Sequence, residues 1–450
     1  MFMKIPNAYA NRFFYHFTHA DNIESIVKYG LLSTNEKNRQ GITHENLANE
    51  EIQHRRSQMS VPINPNGTIH DYVPFYFATT NPILLHLLNR KNIDQPYIVY
   101  IAISIGKLVN DKVLFTDASA NTSTPPSFFS NPQDLDRLKW NLIDETKWGR
   151  GTDDELHSRM AEVLIYKKVP IEWIDSYIVW NDICKERIIQ VYTDNNLSYP
   201  NISYSPFNNR HFYYTKFSMK GRENETLVTG PMLLKCHFDD AVQNIIEYKK
   251  TTEAKQPAFE DIHDALKKIK EDFCIIEELE GIFKLQTTNS AHNQCVSDHT
   301  IGVVKKLKKN KYYDNLSKSD RRLVKLSAYL HDIGKGPKSK WENGIQPTYP
   351  DHPADAIPMI TRILCEEFTS ISAYEIRKLC LLVFYHDLIG DILERGRSRS
   401  ELLNLQIDSN ELNMLIAISL ADASAINSDW GMQLNSKIRG FVREIIGEIM

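Results

Sequence analysis

The sequence is short of most features that mark specialised classes of chain. Cysteine occurs only six times in 450 residues (Cys184, Cys236, Cys274, Cys295, Cys365, Cys380), and no two stand in a C-x-x-C pair. A disulfide scaffold is thereby excluded, and reduced thiols in a cytoplasmic protein are expected. Glycine and proline number only 18 and 19, too few for a collagen-like or low-complexity chain. No apolar run approaches the roughly 20 residues of a membrane span. The N-terminal stretch MFMKIPNAYANRFFYHF has no apolar run long enough for a signal peptide, and no internal repeat points to a solenoid. A basic excess is also missing: 53 Lys+Arg face 57 Asp+Glu, for a net charge of -4. Proteins that grip duplex DNA by neutralising many phosphates carry such an excess. Tight non-specific duplex binding is therefore disfavoured, while contact with a single strand stays open.

What is present is ordinary globular material, 42% hydrophobic and 24% charged, in a length that suggests two or three domains. From residue 11 to about 193 the chain alternates strand-like runs, FFYHFT, VPFYFAT, YIVYIAISI, MAEVLIYKKV, SYIVW and RIIQVY, with few helices. Residues 194–231 are rich in Asn, Ser, Pro and Gly and predict a connector. From 232 to 450 the periodicity is helical almost throughout. The expected fold class is multidomain, an α+β domain over 1–193 followed by an all-α region.

The helical half strings His299, His331, Asp332, His352, His386 and Asp422 over 124 residues. Imidazole nitrogens and carboxylate oxygens suit first-row divalent ions. Adjacent His331 and Asp332 stand about 100° apart on a helix, so both can reach one ion near its end. Gly334 and Gly336 follow at once, where they can stop the helix and let backbone approach a ligand. The segments SDHTIGVV, YLHDIGKG, DHPADAI, FYHD and LADAS resemble the HD-domain metal-dependent phosphohydrolases over about residues 285–450. That resemblance implies a metal site of His299, His331, Asp332 and Asp422, with His352 and His386 completing a second, for divalent manganese, iron, magnesium, zinc or nickel. It also implies a phosphate contact from Lys335. Asp387, after His386, reads as a cap or salt-bridge residue. Residues 305–325 carry nine Lys/Arg against two Asp, a solvated helix face or a steering patch for an anion.

In the N-terminal half, His16 and Thr18 alternate with aromatics on one strand face, Arg55 and Arg56 precede a loop and an aromatic strand, and Glu162 opens the apolar strand EVLIY. The segments HFTHADNIESIVKYGLLS, IHDYVPFYFATTNPILL and RMAEVLIYKKVP occur in the order seen in the DarT family of DNA ADP-ribosyltransferase toxins, which residues 11–193 resemble. Where that family continues with a Pro-Arg-Ser-Pro-like stretch, this chain has Ala78 to Pro82, ATTNP. The resemblance implies an ADP-ribosyltransferase fold that binds NAD+ in a cleft between two small sheets. In it His16, Thr18 and Tyr76 hold the co-substrate, Arg55 or Arg56 meets the pyrophosphate or the substrate, and Glu162 is catalytic. Trp140, Lys147, Trp148 and Arg150 interleave rings and cations just before Glu162, a mixture that suits a single-stranded nucleic acid; core packing of the tryptophans is the other reading.

Together these readings predict a cytoplasmic two-enzyme protein, a transferase acting on single-stranded DNA fused to an HD phosphohydrolase, in a toxin or phage-defence role with an antitoxin partner. RNA, tRNA or protein acceptors, and an HD region that only binds a nucleotide and regulates the transferase, are the alternatives.

Overall fold

Aromatic and β-branched side chains fit a pleated, half-buried surface, and five of the six runs that contain them form strands. RIIQVY, expected as a strand, lies instead in the helix Asp182–Asp194, which buries Cys184, Ile188 and Tyr192 at helical spacing. The computed structural model describes residues 4–45, 50–120, 125–146, 151–217, 219–288 and 294–449. Its first strands are β1 (Phe13–His19), β2 (Leu31–Leu32), β3 (Tyr72–Tyr76), β4 (Ile98–Ser104) and β5 (Val113–Thr116). They are followed by β6 (Phe128–Phe129), β7 (Glu162–Tyr166), β8 (Lys168–Val169), β9 (Ser176–Val179) and β10 (Asn201–Tyr204). Eight strands join in the order β10-β9-β4-β1-β3-β7-β5-β6. The β9/β10 pair is parallel and the others antiparallel, so the sheet is mixed.

Instead of the expected two small sheets, the described residues of this unit form one eight-stranded sheet, pinched at its middle, and a two-residue antiparallel pair of β2 with β8. β1 pairs with β4 along its whole length, from Phe13↔Ser104 to His19↔Ile98. Against β3 it registers at a single position, Tyr15↔Tyr76. Pro74 supplies the reason. Its carbonyl faces β1, where it accepts a hydrogen bond from His16 Nδ1 at 2.8 Å. The N–H that would extend the ladder on that side does not exist in proline. β1 and β3 therefore part beyond Tyr15, and a cleft opens between the two halves of the sheet. One wall of it starts at Gly30, which ends the helix Ile23–Tyr29 with φ +81. A Cβ there would lie 2.8 Å from the Val169 carbonyl, so only glycine fits.

The chain divides into two units, Met1–Leu87 with Asp94–Thr215, and Leu88–Ile93 with Lys216–Met450. This corrects the predicted connector. Within 194–231, β10 extends the first unit's sheet, and Phe212 and Tyr214 are fully buried in that unit. Tyr213 donates its hydroxyl to the Ile98 and Ile178 carbonyls at 2.8 and 3.1 Å. The polar text around these aromatics hid their role as anchors.

The second unit is helical as expected, with a two-residue strand pair, Gln286–Thr287 beside Ile345–Gln346. Its central helix, Ser409–Ile426, is apolar on nearly every side: Leu412, Met414, Leu415, Ile416, Ala417 and Ile418 are all buried, which marks a helix surrounded by others. Among the described residues no helix is long and apolar enough to cross a membrane.

Asp144 ties the first unit's termini together. It accepts two hydrogen bonds from Arg12 at 2.8 and 2.7 Å and one from Arg210 at 2.7 Å. Burial would raise its pKa, but the two guanidinium groups hold it below the ordinary carboxylate value. With a depressed folded-state pKa, this stabilisation is complete above the unfolded value and disappears as pH falls through the folded one. Because the group is nearly a third exposed, solvent screening limits the effect. Asp144→Asn is expected to cost about 1 kcal/mol in urea unfolding at pH 7 and to match the parent at the acid end of the titration.

Candidate functional site

In the first unit the cleft widens into a cavity of about 380 Å³ lined by His16, Phe17, Thr18, Asn22, Lys37, His44, Arg56, His70 and Tyr76 among others. Glu162 begins β7, opposite Tyr76 of β3 in register. Its side chain is fully buried, and its carboxylate is fully engaged. Arg56 donates to both oxygens at 2.9 and 2.9 Å, the Ala120 N–H donates at 2.9 Å and the Ser119 hydroxyl at 3.3 Å. Arg56 lies between this carboxylate and the cavity it lines. Burial disfavours its charge, but the Glu162 carboxylate outweighs that and raises its pKa.

His16 is held in one tautomer. Because Nδ1–H donates to the Pro74 carbonyl, Nε2 is the acceptor when the ring is neutral. Burial lowers its pKa to about 4, so the ring is neutral at physiological pH. Thr18 Oγ1 accepts from Asn22 Nδ2 at 3.0 Å, and Asn22 also bonds both backbone polar groups of Glu45. Lys37 Nζ lies 2.9 Å from His44 Nε2, and burial pulls its pKa down to about 8. The hydroxyl of Tyr76 is pushed above its ordinary value by burial and by Glu162.

Of the two candidate arginines, the structure brings Arg56 to Glu162 and leaves Arg55 exposed. Trp140, read as a nucleic-acid contact, packs inside the unit. Its indole N–H donates to the Leu135 carbonyl at 2.8 Å, Tyr9 stacks on it with centroids 5.0 Å apart, and the Arg12 guanidinium lies 4.0 Å over its ring. Lys147, Trp148 and Arg150 lie outside the described residues. Across Ala78 to Pro82 the chain turns inward: Asn81 Oδ1 caps the helix Pro82–Asn89 through the Ile83 N–H at 2.8 Å. Ser119, Ala120, Lys37 and His44 belong to the site without a sequence signal, since long-range packing and not a local period brings them there; His70 stands inside the motif segment IHDYVPFYF but is not among the candidate residues read from it.

In the second unit the six predicted ligands converge from helices far apart in sequence, with Asp332 between two groups. His299, His331 and Asp422 form one cluster, and Asp332, His352 and His386 the other. Asp332 Oδ2 lies 3.8 and 3.4 Å from His299 and His331 Nε2, while Oδ1 lies 3.3 Å from His352 Nε2. It is positioned to bridge the two clusters. Lys335 Nζ donates to Asp332 Oδ2 at 2.7 Å; burial opposes its charge, but Asp332 raises its pKa. Asp387 is the cap and salt-bridge residue expected, preceding the helix Leu388–Arg395 and pairing with Lys91, and it also lines the pocket, 3.2 Å from His386 Nε2 and 3.8 Å from His352 Nε2.

The donor set fits divalent cations. Three rings donate Nδ1–H to the carbonyl three residues earlier: His331 to Ala328 at 2.9 Å, His352 to Tyr349 at 2.9 Å and His386 to Val383 at 2.8 Å. Each Nε2 is thereby aimed inward as a ligand atom. His331 Nε2 is buried without a hydrogen bond and faces carboxylate oxygens, a repulsive arrangement for a lone pair unless a cation stands between. His352 and His386 Nε2 lie 3.0 Å apart and need a proton or a cation between them. Burial lowers the His352 pKa to about 3, whereas Asp387 overcomes burial and raises that of His386 to about 9.

Residues 15–214 match the family model described as ssDNA thymidine ADP-ribosyltransferase, DarT. A DNA ADP-ribosyl transferase from Thermus sp. (strain 2.9) is 30% identical over 183 residues, 39% of this chain and 85% of its own. Its counterpart from Thermus aquaticus is 28% identical over 208 residues, 45% of this chain and 88% of its own. The solved structure of Thermus sp. 2.9 DarT in complex with ADP-ribosylated ssDNA has 25% identity and a TM-score of 0.40, covering 45% of this chain and 97% of that one. Through its N-terminal unit the chain belongs to the DarT family of DNA ADP-ribosyltransferases. The match ends at 214, beside the unit boundary at Thr215 and not at 193.

Removing one partner of a buried ion pair strands the other. Arg56→Ala is expected to destabilise the protein by about 3–5 kcal/mol, whereas Arg55→Ala, on the surface, should stay within about 0.5 kcal/mol of the parent. Guanidinium unfolding curves of the two variants check this, and equal losses would contradict the placement.

Proposed function

We propose that the N-terminal unit transfers ADP-ribose from NAD+ to a base in single-stranded DNA, and that the second unit is a metal-dependent HD phosphohydrolase, the two serving a toxin or phage-defence role. The observation that carries the transferase reading is the Arg56–Glu162 pair at the wall of a cavity large enough for a nucleotide-sized ligand. Departure of nicotinamide leaves an oxocarbenium-like ribose. A carboxylate can stabilise that charge and take the proton of the attacking base. Arg56 offers the planar, permanently charged fork that suits phosphate oxygens. When it turns toward the NAD+ pyrophosphate or the acceptor strand, it releases an oxygen of Glu162 for proton transfer. The neutral His16 ring and Thr18 line the same cavity and hold the nicotinamide riboside end. A base in a single strand needs no extrusion from a duplex, in keeping with the chain's lack of basic excess.

In the second unit His299, His331, Asp332 and Asp422 would hold one ion, and His352 and His386 another, with Asp332 shared. Bound metal supplies an activated water and stabilises charge on phosphoryl oxygens. The chain's own contribution is to aim the imidazoles of His331, His352 and His386 through their backbone hydrogen bonds and to place Lys335 beside Asp332.

Two measurements test these readings. Incubation with NAD+ and single-stranded oligonucleotides is expected to release nicotinamide and add an ADP-ribose mass to DNA, with Glu162→Gln slower by at least about 100-fold. An undiminished Glu162→Gln rate, or transfer only to RNA or protein, refutes the reading as stated. Elemental analysis after manganese loading should find metal in the parent and a clear loss in His331→Ala; a parent that never retains metal would leave a binding module in place of a hydrolase.

A further inference from the structure

The pocket of the second unit is lined in part by two residues from far outside the helical region, Asn89 and Lys91. Residues Leu88–Ile93 belong to that unit, and Lys91 lines the pocket together with His352, His386, Asp387 and Lys335. Its side chain is only 5% exposed. Nζ has three donors, yet its nearest carboxylates are distant, Asp387 Oδ2 at 3.4 Å and Asp391 Oδ2 at 3.9 Å. Charge-assisted bonds normally close to about 2.7–2.9 Å. Both carboxylates have other nitrogen partners at shorter range: His386 Nε2 lies 3.2 Å from Asp387, and Arg397 lies 3.3 Å from Asp391. Lys91 is thus a buried ammonium with donor capacity in reserve, facing a cluster of metal-type ligands.

The backbone holds it there at a cost. Lys91 has φ +55, a left-handed conformation that residues with a Cβ adopt reluctantly and that gathers at functional positions. The turn is clamped from both sides: Asn92 Nδ2 donates to the Gly396 carbonyl at 2.9 Å, and Asn92 Oδ1 accepts from the Ser398 N–H at 2.8 Å. A glycine would make this turn more easily, but it would bring no charge.

We propose that Lys91 is a phosphate-binding residue of this pocket, gripping together with Lys335 the oxyanion of a phosphate ester presented to the histidine cluster. The proposal rests on the phosphohydrolase reading. It makes the helical region's site incomplete without residues 88–93, so that the hydrolase depends on a segment embedded in the transferase sequence.

Calorimetric titration of the manganese-loaded, full-length protein with inorganic phosphate tests it, alongside elemental analysis of the metal. Lys91→Met is expected to weaken phosphate binding by about tenfold or more while metal content stays at the parent value, and Lys91→Arg to restore affinity to within about threefold, since a guanidinium also pairs with oxyanions. Should Lys91→Met not fold by circular dichroism, Lys91→Gln carries the same expectation. Lys250→Ala, on an exposed helix face, serves as the control and should match the parent. Phosphate affinity in the folded, metal-loaded Met or Gln variant equal to the parent's would overturn the proposal. A parent that takes up neither manganese nor phosphate would overturn the phosphohydrolase reading and this inference with it.

Discussion

One missing hydrogen-bond donor shapes the N-terminal site. Pro74 sits where β3 should continue its ladder to β1, and the ladder stops after Tyr15↔Tyr76. A sheet that stayed zipped there would have no interior for a ligand. Because it parts, His16 uses its ring to satisfy the Pro74 carbonyl, which fixes its tautomer, and the faces of β1 and β3 become cavity walls. The same strand carries Tyr76 into register with Glu162 of β7. Strand pairing thus sets the position of the carboxylate relative to the cleft.

Inside that cleft the dominant force is electrostatic. A buried ion pair has large desolvation costs, and apolar residues of similar volume are often as stable or more so. Keeping Arg56 and Glu162 in a fully buried pair, with Ala120 and Ser119 completing the carboxylate's hydrogen bonds, therefore serves something besides stability. The second unit uses the same physics with a different sign balance. Imidazole lone pairs and carboxylates crowd together in a way that an intervening proton or cation relieves, and three backbone carbonyls preset the rings for it.

Much of this was legible in the chain. Five of the six strand runs were recognisable because β-branched and aromatic residues cluster in them, while RIIQVY has the same composition and belongs to a helix; the helical half was recognisable because its apolar period is 3.6. Glu162 and the six metal-type residues stood out by chemistry and motif. Other features were not legible. Arg55 and Arg56 are identical in kind and adjacent, so only the phase of their helix, Glu50–Gln58, decides which one faces Glu162. Trp140 between cations reads like a stacking platform, yet its ring is taken up by Tyr9, Phe77 and Arg12. The Asn/Ser/Pro-rich stretch after 194 concealed a parallel strand and three aromatic anchors.

By itself the sequence determined the division into an α+β part and a helical part, the residue types of both sites, and the family of the first, because composition, periodicity and short motifs are local properties. Tertiary structure alone decided which arginine meets Glu162, that Asp332 stands between two histidine clusters, that the first unit extends to Thr215, and that Lys91 belongs to the second unit. Those are long-range facts. They depend on how strands register and helices dock across separations of tens to hundreds of residues, which no local pattern encodes.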